Sequence, residues 1–157
     1  MALRAARLLG ALSILGVGAV HLQQYIGNGY STVPTIGTLF LLNAIAAGVV
    51  GFGLLLPVRR ALGPRRGNGA VGVLALAGVG IAVGSLIALF ISESGTLFGF
   101  AEHDYRTVIV IAIAVEAAAA ILLSPLAAVS IRRALAQPAQ HGTRPRRPAG
   151  YAASRSA

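Results

Sequence analysis

The sequence contains no cysteine and no lysine, and charged residues make up only 11% of its 157 positions. Without cysteine, the chain forms no disulfides, no thiolate metal centres and no cysteine nucleophile. Soluble domains carry roughly a quarter charged residues, because polar groups must face the surrounding water. A chain that is 56% hydrophobic with so little charge is therefore predicted to lie in lipid.

Positive charge is carried by arginine alone, and the formal net charge is +9. In a soluble chain this excess would indicate a nucleic-acid partner. Here the arginines flank apolar runs, whereas nucleic-acid binders place basic residues on one face among aromatic ones. We therefore predict no nucleic-acid partner and expect the lipid bilayer to be the main surrounding.

Four long apolar runs divide the chain, at about residues 8–25, 36–58, 70–91 and 107–131. Each is roughly 18 to 25 residues long, which as a helix matches a hydrocarbon core of about 30 Å. A helix satisfies its own backbone hydrogen bonds, as a segment in lipid must. The sequence predicts an all-α, polytopic membrane protein with a four-transmembrane-helix bundle over residues 1–133.

The arginines also predict the orientation of this bundle. Only Arg106 falls on one side of the predicted membrane, and the other arginines fall on the opposite side, at positions 4, 7, 59, 60, 65, 66, 132, 133, 144, 146, 147 and 155. By the positive-inside rule both termini are cytoplasmic, in a multi-pass protein of the cell membrane. Residues 134–157 are rich in Ala, Pro and Arg without apolar periodicity, which predicts a disordered basic cytoplasmic tail.

The first run allows a second interpretation. Arg4 and Arg7, the apolar stretch after them and the small residues up to Ala19 are typical of a signal peptide. Cleavage after Ala19 would leave three spans. The apolar run continues to Tyr25, however, which favours a spanning helix.

Few polar side chains interrupt the four spans, and one from each falls at a similar depth. From the predicted outer helix ends, His21 lies about one turn, Asn43 and Ser85 about two turns, and Glu116 about two and a half turns into the membrane. If their helix faces turn inward, the four gather in an outward-facing binding pocket within the membrane. The alternative is that Asn43 and Ser85 only bond between helices or back to their own backbone, which contributes little.

Glu116 is the most informative of the four, because an acidic residue near the bilayer centre costs roughly 2.5 to 3.5 kcal/mol. Such residues usually face the bundle interior or a wet cavity. Its neighbours along the helix, Ala112, Ala120 and Ser124, are small, so a partner helix is expected to approach closely on that face. Together with His21, Glu116 would form a proton-sensitive pair.

The outer loops add four further candidates for a binding role: Tyr30, Glu102, His103 and Asp104. The last three are consecutive, so their side chains point in different directions and do not converge on one ion; no metal site is predicted. The sequence shows no Ser-His-Asp order, no phosphate-binding glycine loop and no HExxH motif, so no catalytic residues are assigned. Nothing in it specifies a cofactor.

The stretch from His21 to Asn43, HLQQYIGNGYSTVPTIGTLFLLN, and the stretch LFGFAE at residues 97–102 carry a family resemblance. The shared features are His-Leu near the end of the first span, Gly-Tyr, Pro-Thr-Ile-Gly, and Leu-Phe-Leu-Leu before an amide. In these the chain resembles a family of uncharacterised small four-helix integral membrane proteins common in actinobacteria. The resemblance covers most of the membrane part but not the tail, and it implies the architecture without implying an activity.

Two functional interpretations follow. In the first, the outward-facing pocket binds a small molecule, a lipid, a quinone or a proton. In the second, the chain is a structural or accessory subunit that packs against a larger membrane complex or forms a homo-oligomer. A membrane-embedded enzyme with Glu116 and His21 as acid and base ranks below both, because no nucleophile is evident.

Overall fold

The computed structural model describes residues 2–99 and 107–137 of the chain. This part is all-α, with a 3-10 turn at Tyr30–Thr32 and four helices, which are α1 (Ala2–Gly27), α2 (Ile36–Leu55), α3 (Val58–Ser94) and α4 (Thr107–Ala136). All four helices are long and apolar enough to cross a membrane. The fold class predicted from the sequence is confirmed at this level.

The helices form an antiparallel bundle in which each packs against the next and α4 packs back against α1. Two contacts in each helix pair show the opposite directions. Leu15 and Gly18 of α1 lie against Gly51 and Ala47 of α2, and Gly72 and Gly78 of α3 lie against Ile131 and Leu123 of α4. One end of the bundle carries the described arginines, and we call it the arginine-rich end. The other, where α1 ends and α2 begins, is the His21 end.

Prolines set the helix boundaries near the arginine-rich end, and they differ from the predicted ones. Helix α2 ends at Leu55 and not near residue 58, because Leu56 precedes Pro57 and is extended, with φ −65° and ψ 146°. The connection between the second and third apolar runs is helical from Val58, and its helical backbone is broken at Gly63, where φ is 75°. Pro64 follows at the start of the long segment of α3, a position that needs no backbone N–H.

Helix α4 also differs, since it continues to Ala136, beyond the predicted end of the span and into the segment predicted as tail. The remainder of that segment, residues 138–157, lies outside the described residues.

Arg7 joins the start of α1 to the end of α2. Its Nε donates to the Leu54 carbonyl at 2.6 Å, and its Nη2 donates to the Leu56 carbonyl. The last carbonyls of a helix have no partner within the helix, and a positive charge next to them is favourable. Arg7 thus stabilises the end of α2.

The core of the bundle is built around Leu123, whose side chain is completely buried. A Cβ atom on Gly10 would lie 2.5 Å from its Cδ2, and a Cβ atom on Gly78 would lie 2.5 Å from its Cδ1. Both methyl groups therefore fill hollows left by glycines, one on α1 and one on α3. This is how small residues allow close packing of apolar helices.

The buried face of α4 differs from the face expected around Glu116. Ser124 is exposed, and its hydroxyl donates to the Ala120 carbonyl at 2.7 Å. The buried residues instead follow a spacing of three, four and seven, at Ile109, Glu116, Ala119, Leu123, Leu126, Ala127 and Ser130. Of the expected stripe, only Ser124 turned away from the core, because a bundle seam repeats every seven residues; Ala120 packs against the core and Ala112 lies near the His21 end.

Large apolar side chains cover the outside of the bundle. Leu12, Ile45, Leu76 and Ile121, one on each helix, are all more than half exposed. A water-soluble bundle would place polar residues there. The exterior is therefore suited to contact with lipid.

Candidate functional site

The structure brings His21, Asn43, Ser85 and Glu116 together near the His21 end. Because the helices are antiparallel and each of these residues lies about two turns from a helix terminus, the four reach the same level of the bundle. His21 and Glu116 are buried, while Asn43 and Ser85 are half-buried. Three of the four are linked directly by hydrogen bonds.

The imidazole of His21 is held at both nitrogens. Its Nδ1 lies 3.0 Å from the Val17 carbonyl, which only accepts, so Nδ1 is the donor. In a neutral ring Nε2 is then an acceptor, and it lies 3.0 Å from the Asn43 amide nitrogen. The hydrogen bond to the helix backbone thereby fixes the tautomer and the orientation of the ring.

Asn43 connects His21 to Ser85. Its amide nitrogen donates to His21 Nε2 and also to the Ser85 hydroxyl, so both of its protons are used. Ser85 in turn lies close enough to Glu116 for its hydroxyl to interact with the carboxyl group. The four polar residues thus form one chain of contacts across all four helices.

Two acceptor atoms of these four residues have no hydrogen-bond partner, although both are buried. They are Oδ1 of Asn43 and Oε2 of Glu116. The other carboxylate oxygen, Oε1, lies 3.8 Å from His21 Nε2, too far for a hydrogen bond. Leaving a buried polar group unpaired costs about 1 to 3 kcal/mol, so each unpaired acceptor points to a missing donor.

These residues line a cavity of about 140 Å³, which we call the His21 cavity. An apolar cavity of about 150 Å³ is enough for a benzene-sized molecule. Its remaining wall is largely apolar and includes Val20, Ile36, Leu39, Leu89, Val108, Ile109 and Ala112. An apolar wall with a few convergent polar groups is the usual form of a small-molecule site.

Aromatic rings line one side of the His21 cavity. Phe40 stacks on Tyr30 with ring centroids 4.7 Å apart, and its centroid is 5.0 Å from that of the His21 ring. The loop bearing Tyr30 lies tightly on α2, because a Cβ atom on Gly37 would collide with the Tyr30 carbonyl. Tyr30, a loop candidate from the sequence, is thus part of the cavity wall.

Among the polar and aromatic residues of this wall, three were not identified as site residues from the sequence: Gln24, Phe40 and Ser92. Helical spacing holds a signal for two of them, because Gln24 is three residues after His21 and Phe40 is three residues before Asn43. Gln24 is buried, and its amide donates to the Gln23 side chain at 2.7 Å. Ser92 donates to the Leu89 carbonyl at 2.8 Å.

The remaining loop candidates, Glu102, His103 and Asp104, lie outside the described residues. Within residues 2–99 and 107–137, no three His, Asp or Glu side chains come close enough to hold a metal ion. In the His21 cavity the chemistry available is hydrogen bonding by an imidazole, an amide, a hydroxyl and a carboxyl group.

Comparison with known protein families, curated proteins and solved structures gives no match for the chain. The resemblance to the actinobacterial four-helix family therefore stays a prediction.

Proposed function

We propose that the chain is an integral protein of the cell membrane that binds a small molecule in its His21 cavity. Both termini lie in the cytoplasm, and the cavity faces the outer side. The ligand has a largely apolar body and at least one hydrogen-bond donor, such as a hydroxyl or amine group. The observation that carries this proposal is the pair of unpaired buried acceptors, Asn43 Oδ1 and Glu116 Oε2, in residues lining one cavity.

Topology is supported by the charge distribution and by the outer surface of the bundle. The described arginines cluster at one end of the bundle, while the apolar side chains that cover the helices are exposed. Moving arginine across a bilayer is unfavourable, so the arginine-rich end stays on the side where the chain is made.

The proposal that the ligand carries a donor group is supported by the hydrogen bonds that the site residues already make within the protein. Asn43 uses both amide protons, and His21 donates its Nδ1 proton to the Val17 carbonyl. The groups left over are acceptors, and an acceptor needs a donor from outside the chain. The apolar remainder of the wall supplies the contact area for the body of the ligand.

The topology predicts the labelling of introduced cysteines, for which a chain without cysteine gives no background. Ser31 and Ala61 are both exposed and lie at opposite ends of the bundle. A membrane-impermeant maleimide added to intact cells should label a Ser31→Cys variant, and should label Ala61→Cys only after permeabilisation. Labelling of Ala61→Cys in intact cells would contradict the proposed orientation.

Occupation of the cavity is tested on protein purified in a mild detergent, by native mass spectrometry followed by extraction of small molecules. We expect a small molecule bound in near-stoichiometric amount. Ala112 lines the cavity, whereas Ala128 is on the same helix and exposed. The variant Ala112→Leu should lose the molecule because the larger side chain fills its space, and Ala128→Leu should retain it.

Two outcomes would overturn the binding proposal. One is wild-type protein that carries only bulk lipid and detergent. The other is equal retention of the molecule by Ala112→Leu and by wild type. A stoichiometric protein subunit in place of a small molecule would instead support the accessory-subunit interpretation.

A further inference from the structure

A second cavity, of about 570 Å³, lies at the arginine-rich end, and we call it the arginine cavity. Its wall contains five arginines, at positions 4, 7, 59, 60 and 133. Among the described residues that line it, none is acidic. Positive charges gathered around a cavity without a counterion in the chain repel one another, and a bound anion would relieve that repulsion.

Hydrogen bonds within the protein occupy only some of the N–H donors of Arg7. Two of its nitrogens donate to the carbonyls of Leu54 and Leu56, which are neutral. Arg59 is close enough for its positive charge to act on Arg7. A guanidinium group has five N–H donors arranged to match a phosphate or carboxylate, so donors remain after the two carbonyls are served.

Asn68 adds an independent indication of a ligand. It lines the same cavity and is only 3% exposed, yet its amide nitrogen has no hydrogen-bond partner. A buried amide donor without an acceptor is unfavourable. The acceptor it lacks would be supplied by an anion held among the arginines.

Leucines make up much of the rest of the wall, and they indicate which anion fits. Leu8 and Leu55 line the cavity and are also exposed on the outside of the bundle, so apolar surface runs from the cavity to the exterior. A free inorganic anion would make no favourable contact with such an apolar surface. The acyl chain of a lipid would lie along it, while the headgroup stays among the arginines at the membrane surface.

We propose that the arginine cavity binds the phosphate group of an anionic phospholipid, with Arg59, Arg60 and the Asn68 amide as donors. The proposal rests on the membrane insertion proposed above and is independent of the ligand in the His21 cavity. Failure of the proposed membrane insertion and failure of the proposed phospholipid site can be distinguished. Cysteine labelling reports on insertion and orientation, whereas lipid titration reports on this site alone.

The test uses two matched pairs of substitutions in the first part of α3, one on each side of the break at Gly63. Arg59 and Arg60 line the cavity, while Arg65 and Arg66 are exposed and lie outside its wall. Arg59→Gln/Arg60→Gln and Arg65→Gln/Arg66→Gln remove the same charge from the same segment. The full-length protein in mild detergent is titrated with phosphatidylglycerol, with phosphatidylcholine and with inorganic phosphate, and bound lipid is measured by native mass spectrometry.

We expect phosphatidylglycerol to bind more tightly than phosphatidylcholine, and inorganic phosphate to compete weakly. The Arg59→Gln/Arg60→Gln protein should bind phosphatidylglycerol at least about tenfold more weakly, because charge-assisted hydrogen bonds are lost. The Arg65→Gln/Arg66→Gln protein should bind it like the wild type. Asn68→Leu, which removes the buried donor without changing the charge, should also weaken binding.

Each other outcome would overturn the proposal. Equal weakening by the two arginine pairs would show attraction to diffuse surface charge in place of a site. Equal affinity for phosphatidylcholine would show that the anionic headgroup is not recognised. Full displacement of the lipid by inorganic phosphate at a similar concentration would assign the cavity to the free anion. If Asn68→Leu does not fold, the two arginine pairs still decide the question.

Discussion

Replacing Glu116 with glutamine is expected to reduce the small molecule retained in the His21 cavity by about tenfold, because a buried donor of the ligand that loses its acceptor costs about 1 to 3 kcal/mol. The substitution keeps the shape of the side chain but exchanges an acceptor oxygen for a donor NH₂ group. The unpaired Oε2 is one of the two atoms proposed to receive a proton from the ligand. Retention is measured by quantifying the molecule extracted from equal amounts of purified protein.

The same substitution is expected to leave the melting temperature unchanged or to raise it. Glu116 is 2% exposed, and its contact with His21 is longer than a hydrogen bond. A buried carboxyl group with incomplete pairing is unfavourable for folding, and its neutral amide analogue is less so. Loss of ligand together with gain of stability is typical of a binding residue and is not expected of a structural one.

Ser124→Ala provides the control for Glu116→Gln. Ser124 is on the same helix, is exposed, and bonds only to the Ala120 carbonyl. The Ser124→Ala variant should retain the ligand and keep the wild-type melting temperature. If Glu116→Gln retained the ligand fully, or lost it only as the bundle unfolded, the role proposed for Glu116 would be wrong.

Replacing Leu123 with alanine should cause the largest loss of stability among single substitutions in the bundle, about 2 kcal/mol. The side chain is fully buried and fills the hollows at Gly10 and Gly78, so its removal leaves a void between three helices. In water the range for leucine to alanine is about 2 to 5 kcal/mol. In the membrane environment proposed for this bundle the lower end applies, because separated helices also face an apolar solvent and only packing contacts are lost.

This prediction is checked by equilibrium unfolding in mixed detergent micelles, with Ile121→Ala as the matched control. Ile121 is also on α4 but is 71% exposed. Its truncation should change the free energy of unfolding by less than about 0.5 kcal/mol, as for other surface positions. Equal effects of the two substitutions would show that Leu123 is not at the centre of the bundle.

Much of the architecture follows from the sequence without three-dimensional information. The four apolar runs predict four helices, because in lipid a segment must satisfy its own backbone hydrogen bonds. The depth of His21 and Glu116 follows from their distance to the helix ends, since each residue rises by about 1.5 Å. Local rules also explain the end of α2, where Pro57 prevents the helix from continuing, although the predicted boundary was a few residues too late.

Which face of each helix packs against the core could not be derived from the sequence in this way. In a soluble bundle the polar stripe reveals the outer face, but here the helices are apolar on nearly every side, and the stripe is missing. The expectation that Ser124 shares the inner face with Glu116 was wrong for this reason. Its hydroxyl is satisfied by its own helix, so nothing forces it inward.

Contacts between helices determined which faces meet and which residues line the cavities, and no short stretch of sequence encodes such contacts. The ring contact of Phe40 with His21, the packing of Leu123 between Gly10 and Gly78, and the position of Asn68 in the same cavity wall as Arg7 all join residues far apart in the chain. Composition and spacing thus determine how many helices form and at what depth each polar group lies. The complementary shapes of side chains and glycine hollows determine which faces meet, because in an apolar solvent close packing is the main force that distinguishes one helix face from another.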